Sequence, residues 1–435
     1  MSDMKSLWQD NTRIPEFERL SGDLSTDVLV IGGGLAGLMT AYALKEKGVD
    51  CILLEKDRLC QATTAKTTAK ITALHGLCYS KILKSYGKEY ARMYYKANAE
   101  AVEKIKELCR KAQVKVEEKD NFIFSFNQNK LEAEAEALEN LNIPYVYSDT
   151  LPLPVTAVGA VGFENQGQFN PLKLACFLSQ DLKIFENTRV EELIGTTAVT
   201  PFGKVKAKKV VVATHFPFIN KHGSYFFKLY QHRSYVLALK NAVKPEAMYV
   251  DNSKTGLSFS SFGDFLLLGG GGHRTGKQGG SFNELRDFKN HHYKNSEEVF
   301  HFSTQDTISL DSIPYIGNYS KNTPDLYVIT GFNKWGMTSS FVGAEIISSQ
   351  ILGENKDYAP VFSPSRSILK PQLLINSFET TKNLLTPTTK RCPHLGCALK
   401  YNKDEHSFDC ACHGSRFSQS GKVLDGPATG DLKMN

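Results

Sequence analysis

The stretch DVLVIGGGLAG, residues 27–37, decides the fold of this chain. Its first half is an apolar run that predicts a buried parallel strand, and the glycines that follow predict a tight turn. Residues 35–48 then place apolar side chains at helical spacing and end at a glycine. A second apolar run, VDCILLEKD at 49–57, completes a strand–helix–strand unit of about 30 residues.

Three glycines in this unit have the spacing of a dinucleotide-binding turn. Gly32, Gly34 and Gly37 form G-x-G-x-x-G between the strand and the helix, which is where the motif must lie to bind a pyrophosphate. The first permits the turn, the second lets the phosphates approach the backbone, and the third lets the helix pack on the strand. Glu55 ends the second strand and can accept hydrogen bonds from ribose hydroxyls. The motif predicts a bound dinucleotide and leaves FAD and NAD as alternatives.

The rest of the chain alternates helical and strand-like segments. Apolar residues recur at helical spacing over about 82–114 and 129–142, whereas residues 225–269 alternate apolar and polar side chains and predict antiparallel strands. From 353 to 387 the pattern weakens and prolines accumulate. We interpret this stretch as a connector with one short helix near 371–384.

Three further motifs carry a family resemblance. They are the Thr-rich basic segment ATTAKTTAKITALHG (62–76), DSIPYIG (311–317) and YVITGFNKWGMTSS (327–340). In this order, and after the glycine motif, they make residues 20–352 resemble the FAD-dependent amine and D-amino acid oxidase superfamily, which includes glycine and sarcosine oxidases. The resemblance implies that the dinucleotide is FAD.

By this resemblance Glu55 holds ribose and the backbone of Val190 meets the adenine. The helix that follows Gly331 would point its N-terminus at the flavin and stabilise the negative charge of the reduced ring. The implied FAD contacts are Gly32, Gly34, Gly37, Glu55, Lys56, Thr63, Thr64, Thr68, Val190, Gly331, Gly336, Met337 and Thr338.

The same resemblance suggests catalytic candidates. Lys70 falls where amine oxidases place a basic residue against the flavin, and His273 and Tyr235 are the other two candidates. Relatives that bind an amino-acid carboxylate often carry Lys or Arg near the position of Thr338, so threonine here leaves room for an amine without a carboxylate. Further pocket candidates are Arg233, Arg274 and Trp335.

The C-terminal segment KRCPHLGCALKYNKDEHSFDCACHGSRF, residues 390–417, concentrates thiols and imidazoles. Cys392 and His394 form C-x-H, and Cys410 and His413 form C-x-x-H. Zinc and a disulfide knot are alternatives. The two-residue C-x-H spacing is unusual for zinc and better suits a [2Fe–2S] cluster that has two cysteines on one iron and two histidines on the other.

The full pattern, CPHLGC…CACHGSRF, resembles the Rieske signature. This implies Cys392 and Cys410 on one iron and His394 and His413 on the other. It also implies a disulfide between the two cluster loops, formed by Cys397 and Cys412.

Two residues beside the ligands bear on the cluster potential. By the Rieske resemblance Ser415 donates a hydrogen bond to a cluster sulfur, while Phe417 stands where high-potential members carry tyrosine. We therefore expect a potential in the lower part of the Rieske range. The segment before Cys392 is short, so its supporting sheet is expected to be reduced or supplied by the flavoprotein body.

Together these patterns predict an α/β (α+β) multidomain fold. A Rossmann-like FAD-binding domain is interleaved with an antiparallel-sheet substrate domain, and a small all-β Rieske domain closes the chain. The predicted boundaries are 20–80, 151–220 and 305–353 for the FAD-binding domain, 81–150 and 221–304 for the substrate domain, 354–387 for the linker, and 388–435 for the Rieske domain.

Composition narrows the class of protein. A net charge of +6 is too small and too scattered to indicate nucleic-acid binding. The sequence shows no secretory signal and no apolar run long enough to span a bilayer, and five scattered cysteines suit a reducing compartment, so we expect a cytoplasmic protein.

We predict an oxidoreductase that takes a hydride from a small amine or amino acid at FAD. The cluster would pass the electrons singly to an external acceptor, for which an acidic carrier protein is one candidate. The alternative is an electron-transfer or reductase component that passes electrons between a carrier and a partner protein.

Overall fold

The computed structural model describes residues 4–219, 222–253 and 256–433, which form three β-sheets and the helices around them. The first sheet has four parallel pairings at its centre. In spatial order it contains β16 (Tyr315–Asn318), β17 (Leu326–Thr330), β10 (Gly203–Val212), β1 (Leu24–Ile31), β2 (Cys51–Leu54) and β7 (Lys183–Phe185). Strand β9 (Thr197–Thr200) also pairs with β10, and β8 (Glu192–Ile194) pairs with β9.

The register of this sheet brings the functional loops to one edge. Ile31, the last residue of β1, pairs with Leu54 of β2 on one side and with Val212 of β10 on the other. Because parallel strands end at the same edge, Gly32, Glu55 and the residues after β10 lie next to one another. The glycine turn predicted from the sequence therefore opens onto the carboxyl edge of the sheet.

The second sheet is larger and mainly antiparallel, and one of its pairings, between β12 and β4, is parallel. Its spatial order is β15 (Glu297–Ser309), β11 (Leu229–Lys240), β14 (Phe265–Arg274), β13 (Ser258–Phe262), β12 (Met248–Asp251), β4 (Val116–Ser125), β6 (Gly159–Phe169) and β3 (Lys70–Ile71), with β5 (Val146–Ser148) beside β6. The antiparallel strands predicted for 225–269 are confirmed.

Strand β6 lies in this second sheet, paired along its length with β4. The prediction gave residues 151–220 to the FAD-binding domain. Residues 159–169 pair across the sheet with a strand distant in sequence, a relation that the local pattern of either strand does not reveal. Strand β15 likewise continues to Ser309, beyond the predicted boundary at 304.

The C-terminal sheet is small, antiparallel and formed within its own segment. It contains β18 (Leu399–Asn402), β19 (Ser407–Cys410), β20 (Arg416–Ser418) and β21 (Val423–Asp425) in that order. A small apolar cluster around Phe417 and the four cysteines fills its interior. The predicted all-β domain is thus present with a reduced sheet of its own.

The helices cover the sheets and form the connector. They are α1 (Leu7–Asp10), α2 (Leu35–Glu46), α3 (Tyr79–Lys111), α4 (Gln128–Leu141), α5 (Pro171–Leu178), α6 (Tyr225–Lys228), α7 (Ser281–His292), α8 (Gly336–Ile351), α9 (Ala359–Phe362) and α10 (Pro371–Leu385). Helix α2 packs against α8, and most residues of α2 are buried. The described helices are all too short or too polar to cross a bilayer.

Helix α3 begins three residues earlier than predicted because a distant side chain caps it. The Glu134 carboxylate accepts hydrogen bonds from the backbone N–H groups of Tyr79 and Ser80, at 2.8 and 2.9 Å. The helix kinks at Gly87 and ends before Gln113, which has a left-handed backbone. Such a cap from another helix cannot be predicted from the sequence around residue 79.

Candidate functional site

The glycine turn after β1 has the geometry of a phosphate cradle. Gly32 has φ +113°, and a Cβ on Gly37 would lie 1.9 Å from the Gly32 carbonyl oxygen, so neither position has room for a side chain. A Cβ on Gly34 would instead meet only the Thr64 hydroxyl, at 3.6 Å. Gly34 therefore faces open space at the N-terminus of α2, where a pyrophosphate could approach the backbone.

Side chains from two segments surround this turn. The Glu55 carboxylate accepts hydrogen bonds from the N–H groups of Gly33 (2.6 Å) and Asp57 (2.9 Å), and burial raises the pKa of Glu55. The Thr64 hydroxyl accepts from the N–H of Leu35 at 3.1 Å and so holds the Thr-rich segment against α2. Lys56 lies at the rim, paired with Asp57.

A second loop closes the site from the opposite side. Gly331 has a left-handed backbone, as do Asn333 and Lys334, and together they turn the chain from β17 into the N-terminus of α8. The Asn333 amide fixes the turn by donating to the Gly331 carbonyl at 2.5 Å and accepting from the Ser309 N–H at 2.9 Å. This strained loop directs a helix N-terminus at the cavity.

His75 is a site residue that the sequence analysis did not single out. Its Nε2 lies 2.8 Å from the Thr72 carbonyl and 3.0 Å from the Thr338 hydroxyl, and its ring stacks on Trp335. Burial lowers the pKa of His75 to about 3, so the ring is neutral and donates from Nε2 to Thr72. The only sequence signal was its position at the end of the Thr-rich segment.

A cavity of about 860 Å³ connects these loops. Most of the predicted site residues line it: Gly32, Gly34, Glu55, Lys56, Thr63, Thr64, Thr68, Lys70, Val190, Tyr235, Gly331, Gly336 and Met337. Three described residues lie outside that lining. Gly37 packs under the turn, Thr338 bonds to His75, and His273 stacks against Tyr235 at 5.6 Å.

Lys70 has a titration suited to proton transfer. Its side chain is buried, and its Nζ donates to the hydroxyls of Thr68 (3.0 Å) and Ser258 (2.9 Å). Burial, with a smaller effect of the Lys119 charge, lowers the pKa of Lys70 to about 7. A substantial fraction of Lys70 is therefore in its neutral amine form near physiological pH.

The C-terminal domain forms part of the same cavity. Glu405, Arg416 and residues 423–429 contribute to its wall. The Glu405 carboxylate, 1% exposed, binds the guanidinium groups of Arg233 and Arg416 and accepts from the Tyr235 hydroxyl at 2.7 Å. Burial raises the pKa of Glu405, but the two arginines outweigh it and lower the pKa to about 2. Arg233 and Tyr235, which were predicted to face the substrate pocket, are thus both bound by a carboxylate of the C-terminal domain.

The two loops that carry the cysteines and histidines have matching backbone turns. In each loop a cysteine carbonyl accepts from a glycine N–H at 2.9 Å, Cys392 from Gly396 and Cys410 from Gly414. The thiols of Cys392 and Cys410 interact with each other, and this interaction lowers the pKa of Cys392 to about 7 and raises that of Cys410.

The other four side chains of these loops also meet in pairs. The rings of His394 and His413 are 5.0 Å apart, and Cys397 and Cys412 form the predicted disulfide. Two facing thiols and two facing imidazoles, in loops tied by a disulfide, fit the [2Fe–2S] ligand set. Ser415 is buried beside these loops, and its hydroxyl accepts a hydrogen bond from the Ala428 N–H at 3.0 Å.

One cluster loop is packed against the flavoprotein body. His413 is 2% exposed and contacts the rings of Phe216 and Phe226, whereas His394 is half-buried. Arg274 donates to the carbonyls of Ala411 (3.1 Å) and Cys412 (3.4 Å). Arg274 thus serves the cluster loop, although the sequence analysis placed it at the pocket.

Gln305 joins the two sites. Its carbonyl oxygen accepts from the Thr63 hydroxyl at 3.1 Å on the cavity side, and its side-chain amide donates to the Gly414 carbonyl at 2.9 Å on the cluster side. A Cβ on Gly414 would lie 2.2 Å from the Gln231 side chain, so only glycine allows this approach. No motif in the sequence indicated a role for Gln305.

Comparisons with known proteins agree with this geometry. The sequence profile described as FAD dependent oxidoreductase matches residues 27–350, and the profile described as Rieske [2Fe-2S] domain matches residues 355–434. These profiles imply FAD in the first part and a [2Fe–2S] cluster in the second. The second match begins inside the predicted linker.

Relatives and solved structures extend the likeness over the chain. YhfW of Bacillus subtilis (strain 168), which is named as a Rieske 2Fe-2S iron-sulfur protein, is 32% identical over 99% of this chain and 97% of its own length. The cytochrome b6-f complex iron-sulfur subunit of Nostoc punctiforme is 51% identical over 43 residues, 10% of this chain and 24% of that protein.

The similar solved structures show the fold of about four fifths of this chain. Glycine oxidase from Geobacillus kaustophilus has a TM-score of 0.67 at 18% identity, covering 79% of this chain and 99% of that one. L-amino acid deaminase from Proteus vulgaris has a TM-score of 0.65 at 15% identity, covering 82% and 100%. The chain therefore belongs to the FAD dependent oxidoreductase family and carries a Rieske [2Fe-2S] domain at its C-terminal end.

Proposed function

We propose that this protein oxidises a small amine or amino acid and passes the electrons through the Rieske domain to an external acceptor. FAD in the cavity would accept a hydride from the substrate, and a [2Fe–2S] cluster would carry the electrons onward one at a time. The solved neighbours act on glycine, proline and other amino acids according to their names, which supports this substrate class.

The observation that carries the proposal is the link through Gln305. One residue contacts both the Thr-rich segment of the cavity and the loop that holds His413. The buried His413 faces the flavoprotein body, so electrons would enter the cluster from that side. A cluster with no connection to the cavity would not support this reading.

The chain's own residues suggest how the substrate is prepared. Substrate amines are protonated at neutral pH, and only the neutral amine gives up a hydride readily. Lys70, with a pKa lowered to about 7, can accept that proton at its Nζ while Thr68 and Ser258 keep it in position. The helix N-terminus at Gly336 would stabilise charge at the far side of the cavity.

The occupied arginine bears on the substrate. Arg233 would be a natural partner for a substrate carboxylate, but it is held by Glu405, and the Thr338 hydroxyl is held by His75. Both contacts support an amine without a carboxylate over an amino acid. The proposal also places the protein in the cytoplasm, as the unpaired thiols of Cys51, Cys60, Cys78, Cys109 and Cys176 suggest.

The test is an anaerobic titration of the purified holoprotein, followed by visible absorption and EPR. Each amino acid is paired with the amine that its decarboxylation yields. We expect an amine to bleach the flavin and a reduced Rieske EPR signal to follow. Reduction only by NAD(P)H or by a reduced carrier protein would instead identify an electron-transfer component and overturn the amine-oxidising reading.

A further inference from the structure

Helix α10 in the connector has its polar and apolar faces reversed. Asn376, Glu379 and Asn383 are buried against the protein, while Leu374, Phe378 and Leu385 are 74%, 66% and 76% exposed. At 3.6 residues per turn the two sets lie on opposite sides of the helix. A surface helix of a globular protein normally has the opposite arrangement.

Polar contacts fix this orientation. Asn376 accepts from Arg274 at 3.0 Å and donates to the Phe227 carbonyl at 3.4 Å, and Glu379 pairs with Lys277. The backbone carbonyl of Asn383 accepts from the Ala398 N–H at 2.9 Å, just before the Rieske sheet, and its side-chain amide donates to the Glu379 carbonyl within the helix. The apolar face therefore points outward because Asn376 and Glu379 hold the polar face against the protein and a backbone hydrogen bond holds the end of the helix.

Neighbouring residues enlarge the apolar face into a continuous stretch of sequence. Seventeen large apolar side chains are exposed in the described part of the chain, and seven of them fall between 369 and 395. We call these seven the α10 surface: Leu369, Leu374, Ile375, Phe378, Leu384, Leu385 and Leu395. Such a concentration marks an interaction site.

The charges along the α10 surface have one sign. Between 369 and 395 the basic residues are Lys370, Lys382, Lys390 and Arg391, and the one acid, Glu379, is buried and paired. The Arg391 guanidinium donates to backbone carbonyls at 386 and 396, which leaves its charge uncompensated by those contacts. An apolar face edged by basic side chains complements an anionic lipid surface.

We propose that the α10 surface attaches the protein to an anionic membrane, with α10 lying in the plane of the interface. The helix has 15 residues and a length of about 22 Å, so it can lie along a membrane but not span it. Leu395 belongs to this surface and directly follows the ligand His394. Attachment would turn the half-exposed edge of the cluster toward the lipid, where a membrane-borne acceptor can reach it.

The test is flotation of the holoprotein with vesicles of phosphatidylcholine, with and without phosphatidylglycerol. We expect binding to the anionic vesicles that weakens with salt. The variant L374Q/F378Q/L385Q should bind at least about 100-fold more weakly. The matched control I194Q/V243Q/L352Q removes three exposed apolar side chains elsewhere and should bind as the parent does. Visible spectra confirm that each variant retains its cofactors, and F378Q alone serves if the triple variant does not.

Three outcomes overturn the proposal. The first is a parent protein that does not float with anionic vesicles. The second is a dimer in sedimentation analysis that L374Q/F378Q/L385Q converts to a monomer, which would make the α10 surface a contact between two copies. The third is a complex with an acidic carrier protein, lost in the triple variant, from a protein that ignores vesicles. Vesicle binding does not depend on the substrate, so failure here leaves the proposed function standing.

Discussion

The Glu405→Gln substitution is expected to loosen the C-terminal domain from the cavity wall. Glutamine keeps the size of the side chain and can still accept from Tyr235, but it removes the negative charge between Arg233 and Arg416. Arg416 retains the carboxylates of Asp409 and Asp425. The substitution therefore mainly affects Arg233, whose side chain is 2% exposed and loses its carboxylate partner.

The magnitude follows from the titration of Glu405. Its pKa is lowered from an ordinary 4.5 to about 2, and at about 1.36 kcal/mol per pH unit the difference corresponds to about 3 kcal/mol. This agrees with the range of about 3–5 kcal/mol for removing one partner of a buried ion pair. An opening equilibrium should shift by about 100-fold.

Hydrogen exchange of the holoprotein measures this opening. Amides of β19, Ser407–Cys410, should exchange about 100-fold faster in E405Q at pH 7, while those of β1 in the first sheet stay unchanged. Because the pKa is lowered in the folded protein, the stabilisation is complete above about pH 4.5 and is lost as the pH falls toward 2. The difference in melting temperature between the parent protein and E405Q should shrink over the same interval.

The control is Asp404→Asn, which removes an exposed carboxylate one residue away. It should leave the exchange of β19 within a factor of about two, since exposed pairs contribute little. Exchange in E405Q within about threefold of the parent protein would refute the reasoning, because it would mean that a buried guanidinium can lose its counter-ion at almost no cost.

Three further predictions concern the two sites. Lys70→Met should lower the rate of flavin reduction by about 100-fold or more and should remove a pH dependence of that rate centred near 7. Anaerobic stopped flow measures both, and an unchanged pH profile would exclude Lys70 as the proton acceptor. Gly34→Ala should leave the melting temperature of the flavin-free protein unchanged but lower the affinity for FAD at least about tenfold. Gly37→Ala should lower both the melting temperature and the FAD affinity, and equal effects of the two substitutions would contradict the cradle geometry. The reduction potential of the cluster should lie in the lower part of the Rieske range, which runs from roughly −150 to +300 mV, and Ser415→Ala should lower it further. EPR during a redox titration measures the potential, and a value near the top of the range would refute the argument from Phe417.

Local sequence determined the parts of this protein in which a few adjacent residues define the chemistry. The glycines at 32, 34 and 37 fixed the turn, because a side chain at the first or third would collide with backbone. The spacing of the cysteines and histidines at 392–413 favoured a [2Fe–2S] site, and their resemblance to the Rieske signature implied the disulfide that the structure contains. The helix predicted at 371–384 is present as Pro371–Leu385.

Tertiary structure alone decided how these parts meet. The pairing of β6 with β4, the cap that Glu134 provides to α3, and the contacts of Gln305 with Gly414 and of Glu405 with Arg233 all join residues more than 30 positions apart. His273, chosen from its local glycine-rich setting, lies behind Tyr235, while His75 stacks on Trp335 from 260 residues away. The sequence names the groups that can bind FAD and a cluster, but long-range packing decides which of them share one cavity, because a side chain's partners depend on the fold and not on its neighbours in the chain.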